Sequence, residues 1–290
     1  MQIRNGEDLI SLCREKKLPI HQLMLEYECF KSGKEPAAVY EEMRSHLLVM
    51  KKSVYQGLNE KLTLKGKIIG GEAKKLQRRS QNAKPVCGYT MSRAISFALS
   101  VTEVNAAMGR IVAAPTAGSC GVLPGVLFGL AETFELQEDR QVEGLFTAGA
   151  VGLVIAKNAS LSGAAGGCQA EIGSASAMAA AAVVEIMNGS PEQALHAGAI
   201  AIKNLLGLVC DPVAGLVEVP CSKRNVVGTA NALTAAEMAL AGIESAIPFD
   251  EVVTAMYQVG CALPPTLRET SEGGLAVTPT GRRLKKEILG

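Results

Sequence analysis

The chain has 290 residues, 48% of them hydrophobic and 20% charged, which is enough to bury a substantial core and too apolar for a disordered chain. Aromatic residues are 4% and Trp is absent, so small aliphatic side chains must fill the interior, which favours closely packed helices. A formal net charge of +1 provides no global field for nucleic acid or an anionic membrane, and neither is expected as a partner.

That balance hides an asymmetry, because residues 1–84 carry 17 Lys/Arg against 10 Asp/Glu while residues 85–290 carry 12 against 18. The pattern predicts a charged layer of amphipathic helices over 1–84, packed on the body or on a partner, and a low-charge body over 85–290. In the first layer Asn5 stands as an N-cap ahead of Glu7 and Asp8. Pro19 suits the first turn of a second helix whose Ile20, Leu23, Met24 and Tyr27 share a face, and Gly33 ends it. Pro36 opens a third helix with Val39, Met43, Leu47, Met50 and Val54 on one side, and Gly57 predicts its end. The basic run Lys74, Lys75, Arg78 and Arg79 has no interleaved aromatics and reads as a solvated helix face. Charged residues from Glu7 to Lys17 interrupt any secretion signal, so a cytoplasmic location is expected.

From Ile111 to Ala131 there are 21 residues without a charge, the length of a membrane span. Pro115 and Pro124 interrupt it, and a loop feeding a buried helix fits better, with Gly121, Gly125 and Gly129 forming a bare stripe for close packing. Between positions 144 and 189, 25 of 46 residues are Gly, Ala or Ser, and only Lys157, Glu171 and Glu185 are charged. Buried helices separated by glycine-rich turns are expected there. Polar groups in so apolar a stretch must be hydrogen-bonded or used, which directs attention to 157–163 and 166–171. A further amphipathic helix is predicted from Pro191 to about Leu206, then proline-bearing loops around Cys210 and Cys221, and an ordered loop over 263–274 before a charged tail. The fold class that results is all-α.

Eight cysteines without a CxxC pair, in a chain expected in the cytoplasm, argue for buried thiols, metal ligation or catalysis in place of a disulfide framework. Phosphate-loop, dinucleotide, zinc-protease and hydrolase motifs are missing. The three histidines, His21, His46 and His196, fall in predicted helices and supply a His-based metal site poorly.

Four segments carry a resemblance: Ala114-Pro115-Thr116-Ala117-Gly118-Ser119-Cys120-Gly121, Gly166-Gly167-Cys168-Gln169-Ala170-Glu171-Ile172-Gly173-Ser174-Ala175, Leu208-Val209-Cys210-Asp211-Pro212-Val213-Ala214-Gly215, and Val219-Pro220-Cys221. Together with the closing Glu269-Thr270-Ser271-Glu272-Gly273-Gly274-Leu275-Ala276, this ordered set resembles the iron–sulfur-dependent L-serine dehydratases, and in extent the alpha chain of their two-chain form. The resemblance implies that Cys168, Cys210 and Cys221 hold a [4Fe–4S] cluster; their spacing matches no generic ligand pattern by itself. Three thiolates in place of the usual four leave one iron free to act as a Lewis acid on the serine hydroxyl, giving pyruvate and ammonia without pyridoxal phosphate.

As substrate contacts the family motifs suggest Thr116, Gly118 and Ser119, with Asn158, Ser160 and Ser162. Turn and N-cap chemistry fits Thr116 and Ser119 equally, and a backbone-satisfied amide fits Asn158 equally. Lys223 and Arg224 suit either charge balance at the cluster or an exposed pair. Single-chain members carry a Glu-His pair where this sequence has Ile202-Lys203, and some end in a tail cysteine that caps the open iron. Here Cys261 is the last cysteine, so water, substrate or a partner is expected at that position. A separate beta chain is expected to complete a hetero-oligomer and to bring the catalytic base, with L-serine as substrate. The competing readings are a cysteine desulfidase of the same cluster type, a non-catalytic helical scaffold, and a membrane transporter.

Overall fold

The computed structural model describes residues 1–290 as thirteen α-helices joined by loops and short 3₁₀ turns, with no strand beyond one isolated bridge between Cys210 and Arg268. The all-α expectation holds. The N-terminal layer is α1 (Gly6–Lys16), α2 (Ile20–Ser32), α3 (Pro36–Asn59) and α4 (Glu72–Asn82). Asn5 Oδ1 accepts the Asp8 amide at 2.8 Å, and Gly33 closes α2 in the left-handed region at φ +70°. The buried residues of α2 are Ile20, Leu23, Met24 and Tyr27, the predicted face. Helix α3 departs from expectation, running past Gly57 to Asn59. A Cβ at Gly57 would lie 2.5 Å from the Ser100 carbonyl, so this glycine lets two helices touch and terminates neither.

The starts of three of these helices are held by carboxylates from distant parts of the chain. Asp250 accepts the Gly6 amide at 2.7 Å and the Glu7 amide at 3.1 Å. Glu185 accepts those of Ile20 and His21, both at 2.9 Å. Glu103 accepts those of Glu72 and Ala73, at 2.6 and 3.2 Å. First-turn amides have no partner within their own helix, and negative charge is favourable at that end, so each contact satisfies the backbone and ties the layer to the body. Leu9, Ile20, Leu23, Leu47 and Val54 share one apolar core with Leu127, Ile155 and Ile172.

The body comprises α5 (Gly88–Ala106), α6 (Val122–Phe134), α7 (Glu138–Asn158), the single turn α8 (Gly163–Gly166), α9 (Ser174–Ile186), α10 (Pro191–Lys203), α11 (Cys221–Leu240), α12 (Phe249–Ala262) and α13 (Pro279–Leu289). Every residue of α9 is buried, as its Ala-rich sequence demands. The glycine stripe of α6 faces α5: a Cβ at Gly121 would sit 2.4 Å from Ala98 O, and one at Gly125 2.8 Å from Ala94 O. The segment Ala117–Phe134 is long and apolar enough to cross a membrane by composition, and 67% of it is buried inside the bundle. Ser190 and Gln193 form a reciprocal cap at the start of α10, which ends at Lys203, three residues before the predicted limit. The charged tail is helical as α13, started by Thr278, whose hydroxyl accepts the Gly281 amide at 3.1 Å.

Candidate metal centre

Three segments converge beside the first turn of α11. The first is the loop before α6, where the Thr116 and Ser119 hydroxyls lie 3.0 Å apart in a reciprocal cap around a 3₁₀ turn, Ala117–Ser119. Asn225 clamps this loop to α11 by donating to Gly118 O at 2.7 Å and accepting from Gly121 N at 2.9 Å.

The second segment turns at Gly167, φ +75°, into Cys168 and a π-helical turn, Gln169–Gly173. Such turns insert one residue into the helical register and recur at functional sites. Gln169 fixes it from both ends of its amide, donating to Met256 O at 3.0 Å and accepting from Gly207 N at 2.9 Å.

The third segment carries Cys210 and Cys221. The Cys210 amide donates to Leu267 O and its carbonyl accepts from Glu269 N, both at 2.8 Å, and Asp211 accepts the Leu275 amide at 2.7 Å. Near Cys221, the buried Glu218 carboxylate accepts from Gly66 N at 2.6 Å and Ile68 N at 3.0 Å. Both cysteine loops are thus pinned by segments distant in sequence.

The ligand atoms of Cys168, Glu171 and Cys210 all lie within 4.8 Å of one another, a set that could hold a metal ion. Cys221, also buried, stands outside this triplet at the head of α11. Burial pushes its thiol up to about 12, with the negative charge of Cys168 and Glu171 adding to the effect. The Cys168 thiol is held below its ordinary value by the neighbouring Cys210 thiol and by the Arg224 guanidinium, against burial. Cys210 is pushed the opposite way by its contact with Cys168 and by burial. Glu171 is raised by burial, partly offset by Thr116, whose hydroxyl donates to Oε1 at 2.8 Å.

Arg224 donates to Cys168 Sγ at 3.4 Å and to Val209 O at 2.7 Å, and ion-pairs with Asp211 at 2.8 Å. Hydrogen bonds to sulfur and charge near it are the usual means of tuning a metal-bound thiolate. Ser222 Oγ and Arg268 Nε are buried without hydrogen-bond partners. Buried thiols with a guanidinium against one of them form a soft donor set, suited to zinc or iron–sulfur centres in preference to hard cations.

Of the residues singled out from sequence, Cys168 and Cys210 meet directly, and Thr116 reaches them through Glu171. Ser119 is buried against Thr116. The Ser160 and Ser162 hydroxyls accept the Ser162 and Ala164 amides at 3.1 and 3.2 Å, shaping the turn into α8. A Cβ on the next residue, Gly163, would lie 3.1 Å from Cys210 Sγ, so this turn borders the thiols. Asn158 is not drawn in: its amide donates to Arg4 O and Val154 O, both at 2.8 Å. Lys223 pairs with Glu72 on α4, while Arg224 faces the thiols. Glu171 was given no role from sequence; its three-residue spacing from Cys168, which places both on one face of a turn, was the available signal.

Residues 15–276 match the family model described as Serine dehydratase alpha chain. The chain is 53% identical over 287 residues to the probable L-serine dehydratase, alpha chain, of Bacillus subtilis, covering 99% of this sequence and 95% of that one. It is 44% identical over 287 residues to the L-serine dehydratase, alpha chain, of Peptoniphilus asaccharolyticus, covering 99% and 98%. The L-serine dehydratase of Streptomyces coelicolor is 38% identical over 277 residues, which make up 94% of this chain and only 60% of that longer protein.

Proposed function

The chain belongs to the serine dehydratase alpha chain family, and on that premise we propose that it is the alpha subunit of an L-serine ammonia-lyase in which Cys168, Cys210 and Cys221 hold a [4Fe–4S] cluster. The observation that carries this reading is the convergence of buried thiols from separate loops, two of them in one donor triplet with a carboxylate and the third at the head of α11. When bound, the cluster supplies a Lewis-acidic iron for the hydroxyl that must leave serine as pyruvate and ammonia form.

The chain's own residues prepare that chemistry. Arg224, fixed by Asp211, favours the thiolate form of Cys168. Asn225 fixes the Thr116–Ser119 turn beside the donors, where the Thr116 hydroxyl donates to Glu171 and keeps a lone pair for a substrate hydroxyl. Ser160 and Ser162 shape the opposite wall, and Asn158 supports it from outside by anchoring the chain near Arg4.

In this reading the base for the α-proton is expected from a second, beta chain. His21 is engaged by Glu185 and His196 by the Ser245 amide, and His46 is exposed on α3, so no imidazole of this chain is offered to the basin. The longer Streptomyces relative, 60% of which aligns here, fits a second part fused to the first.

Iron and acid-labile sulfide are expected near four of each per chain after anaerobic reconstitution. Activity on L-serine should be low alone and restored by the beta chain; full turnover by this chain alone would remove the beta-chain requirement. Preference for L-cysteine would favour desulfidase chemistry, and undiminished iron in Ser variants of all three cysteines would favour a scaffold.

A further inference from the structure

Glu171 is a half-buried carboxylate whose oxygen lies within 4.8 Å of both the Cys168 and Cys210 sulfurs. Two glycines clear its place. A Cβ at Gly118 would stand 3.0 Å from its carboxylate oxygens, and one at Gly163 would stand 2.9 Å from Oε2 and 3.1 Å from Cys210 Sγ. The Thr116 hydroxyl fixes Oε1, and the π-helical turn, locked by Gln169, aims the side chain across the thiols.

Its surroundings lack the compensation that a buried carboxylate requires. The groups acting on it are the Thr116 hydroxyl, the Gly163 amide and the negative Glu269, none of them a cation. The guanidinium of the basin, Arg224, is committed to Asp211, Val209 O and Cys168. Placing a carboxylate beside the Cys168 and Cys210 sulfurs with no cation is costly, and a metal centre held between them would offset that cost.

We infer that Glu171 is the oxygen ligand of the cluster, holding the iron that the three cysteines leave without a thiolate. The inference rests on the cluster reading above. A carboxylate suits this task because it binds iron less tenaciously than a thiolate and can yield to a substrate oxygen.

The test uses the full-length chain reconstituted anaerobically with ⁵⁷Fe and sulfide, read by Mössbauer spectroscopy and iron content, with circular dichroism as the check on folding. In the wild type one quarter of the iron should be spectroscopically distinct. Glu171→Gln should shift that quarter or lose it, leaving three irons in place of four. Glu171→Cys should keep four irons and abolish the distinct quarter, since all four would then carry thiolates.

A Glu171→Gln spectrum superimposable on the wild type, or a distinct quarter surviving in Glu171→Cys, would overturn the inference. So would a folded Glu171→Cys chain that holds no cluster, because a thiolate there should retain iron at least as well. A unique iron in the wild type that neither variant perturbs assigns Glu171 to substrate binding instead. Absence of iron and sulfide from the reconstituted wild type is a separate result, which removes the cluster reading and the inference with it.

Discussion

Glu185 takes the amides of Ile20 and His21 and the Thr147 hydroxyl, each at 2.9 Å, with His21 Nδ1 at 2.6 Å, whereas Glu171 takes only the Thr116 hydroxyl and the Gly163 amide. They are two of the three charges in the most apolar stretch of the chain, 144–189. The third, Lys157, donates to the Ile3 carbonyl and belongs with Glu185 to the seam between the N-terminal layer and the body. At the seam the buried Glu185 and the more exposed Lys157 both meet complementary groups in the protein itself. Beside the thiols Asp211 has Arg224 and the Leu275 amide, and Glu171 is the carboxylate there without a cation.

The sharpest way to break this contrast is Glu185→Ala. It leaves two first-turn amides of α2, the Thr147 hydroxyl and the His21 ring without their acceptor, which should lower stability by roughly 3–5 kcal/mol in chemical denaturation. Iron per folded chain should stay at the wild-type level. Loss of iron with unchanged stability would mean that the seam and the basin are one functional unit.

Glu218→Gln should have a smaller and mixed effect. Its carboxylate holds the amides of Gly66 and Ile68 while its own carbonyl accepts from Ser222, the residue after Cys221. We expect a loss of about 1.5–3 kcal/mol, the range for hydrogen bonds to a charged group, with weaker iron retention because Cys221 is less firmly placed. Denaturation midpoints and iron content measured on one preparation separate the two effects. A stability loss with full iron retention would show that Cys221 does not depend on this anchor.

Much of this was readable in advance, and the misses share one cause. Asn5, Gly33 and the buried face of α2 obey rules that act within one or two turns, and the glycine stripe of α6 announced its close contact with α5. Gly57 was misread as a stop because a glycine needed for helix contact and one needed for a left-handed cap look alike until the partner is known. The tail carried a Thr278-Pro279 start signal for α13 that its charge obscured. The carboxylate caps were beyond reach, since Glu185 and Ile20 are 165 positions apart and Asp250 and Gly6 are 244 apart. The three cysteines came from family motifs, whereas Asn158, drawn from the same kind of motif, serves Arg4 and not the basin. Glu171 stood in plain view beside Cys168 but acquires meaning only when Cys210, 39 residues from it in sequence, is seen against it.

The smallest expected effect has the most informative sign. In the metal-free chain Glu171→Gln replaces an under-bonded carboxylate by a neutral amide of the same shape, able to accept from Thr116 through its oxygen. Stability at neutral pH should therefore rise by ~1 kcal/mol, the low end of the desolvation cost of a poorly satisfied polar group. The same substitution at the seam, Glu185→Gln, removes a charge that its partners need and should lower stability. After reconstitution with iron and sulfide the order at position 171 should invert, with the wild type the more stable, because a centre that binds only the folded chain adds its binding energy to folding. Denaturation of the three proteins, wild type, Glu171→Gln and Glu185→Gln, metal-free and reconstituted, measures this inversion directly. If Glu171→Gln destabilises the metal-free chain as Glu185→Gln does, Glu171 is an ordinary structural carboxylate and the contrast between the two regions disappears.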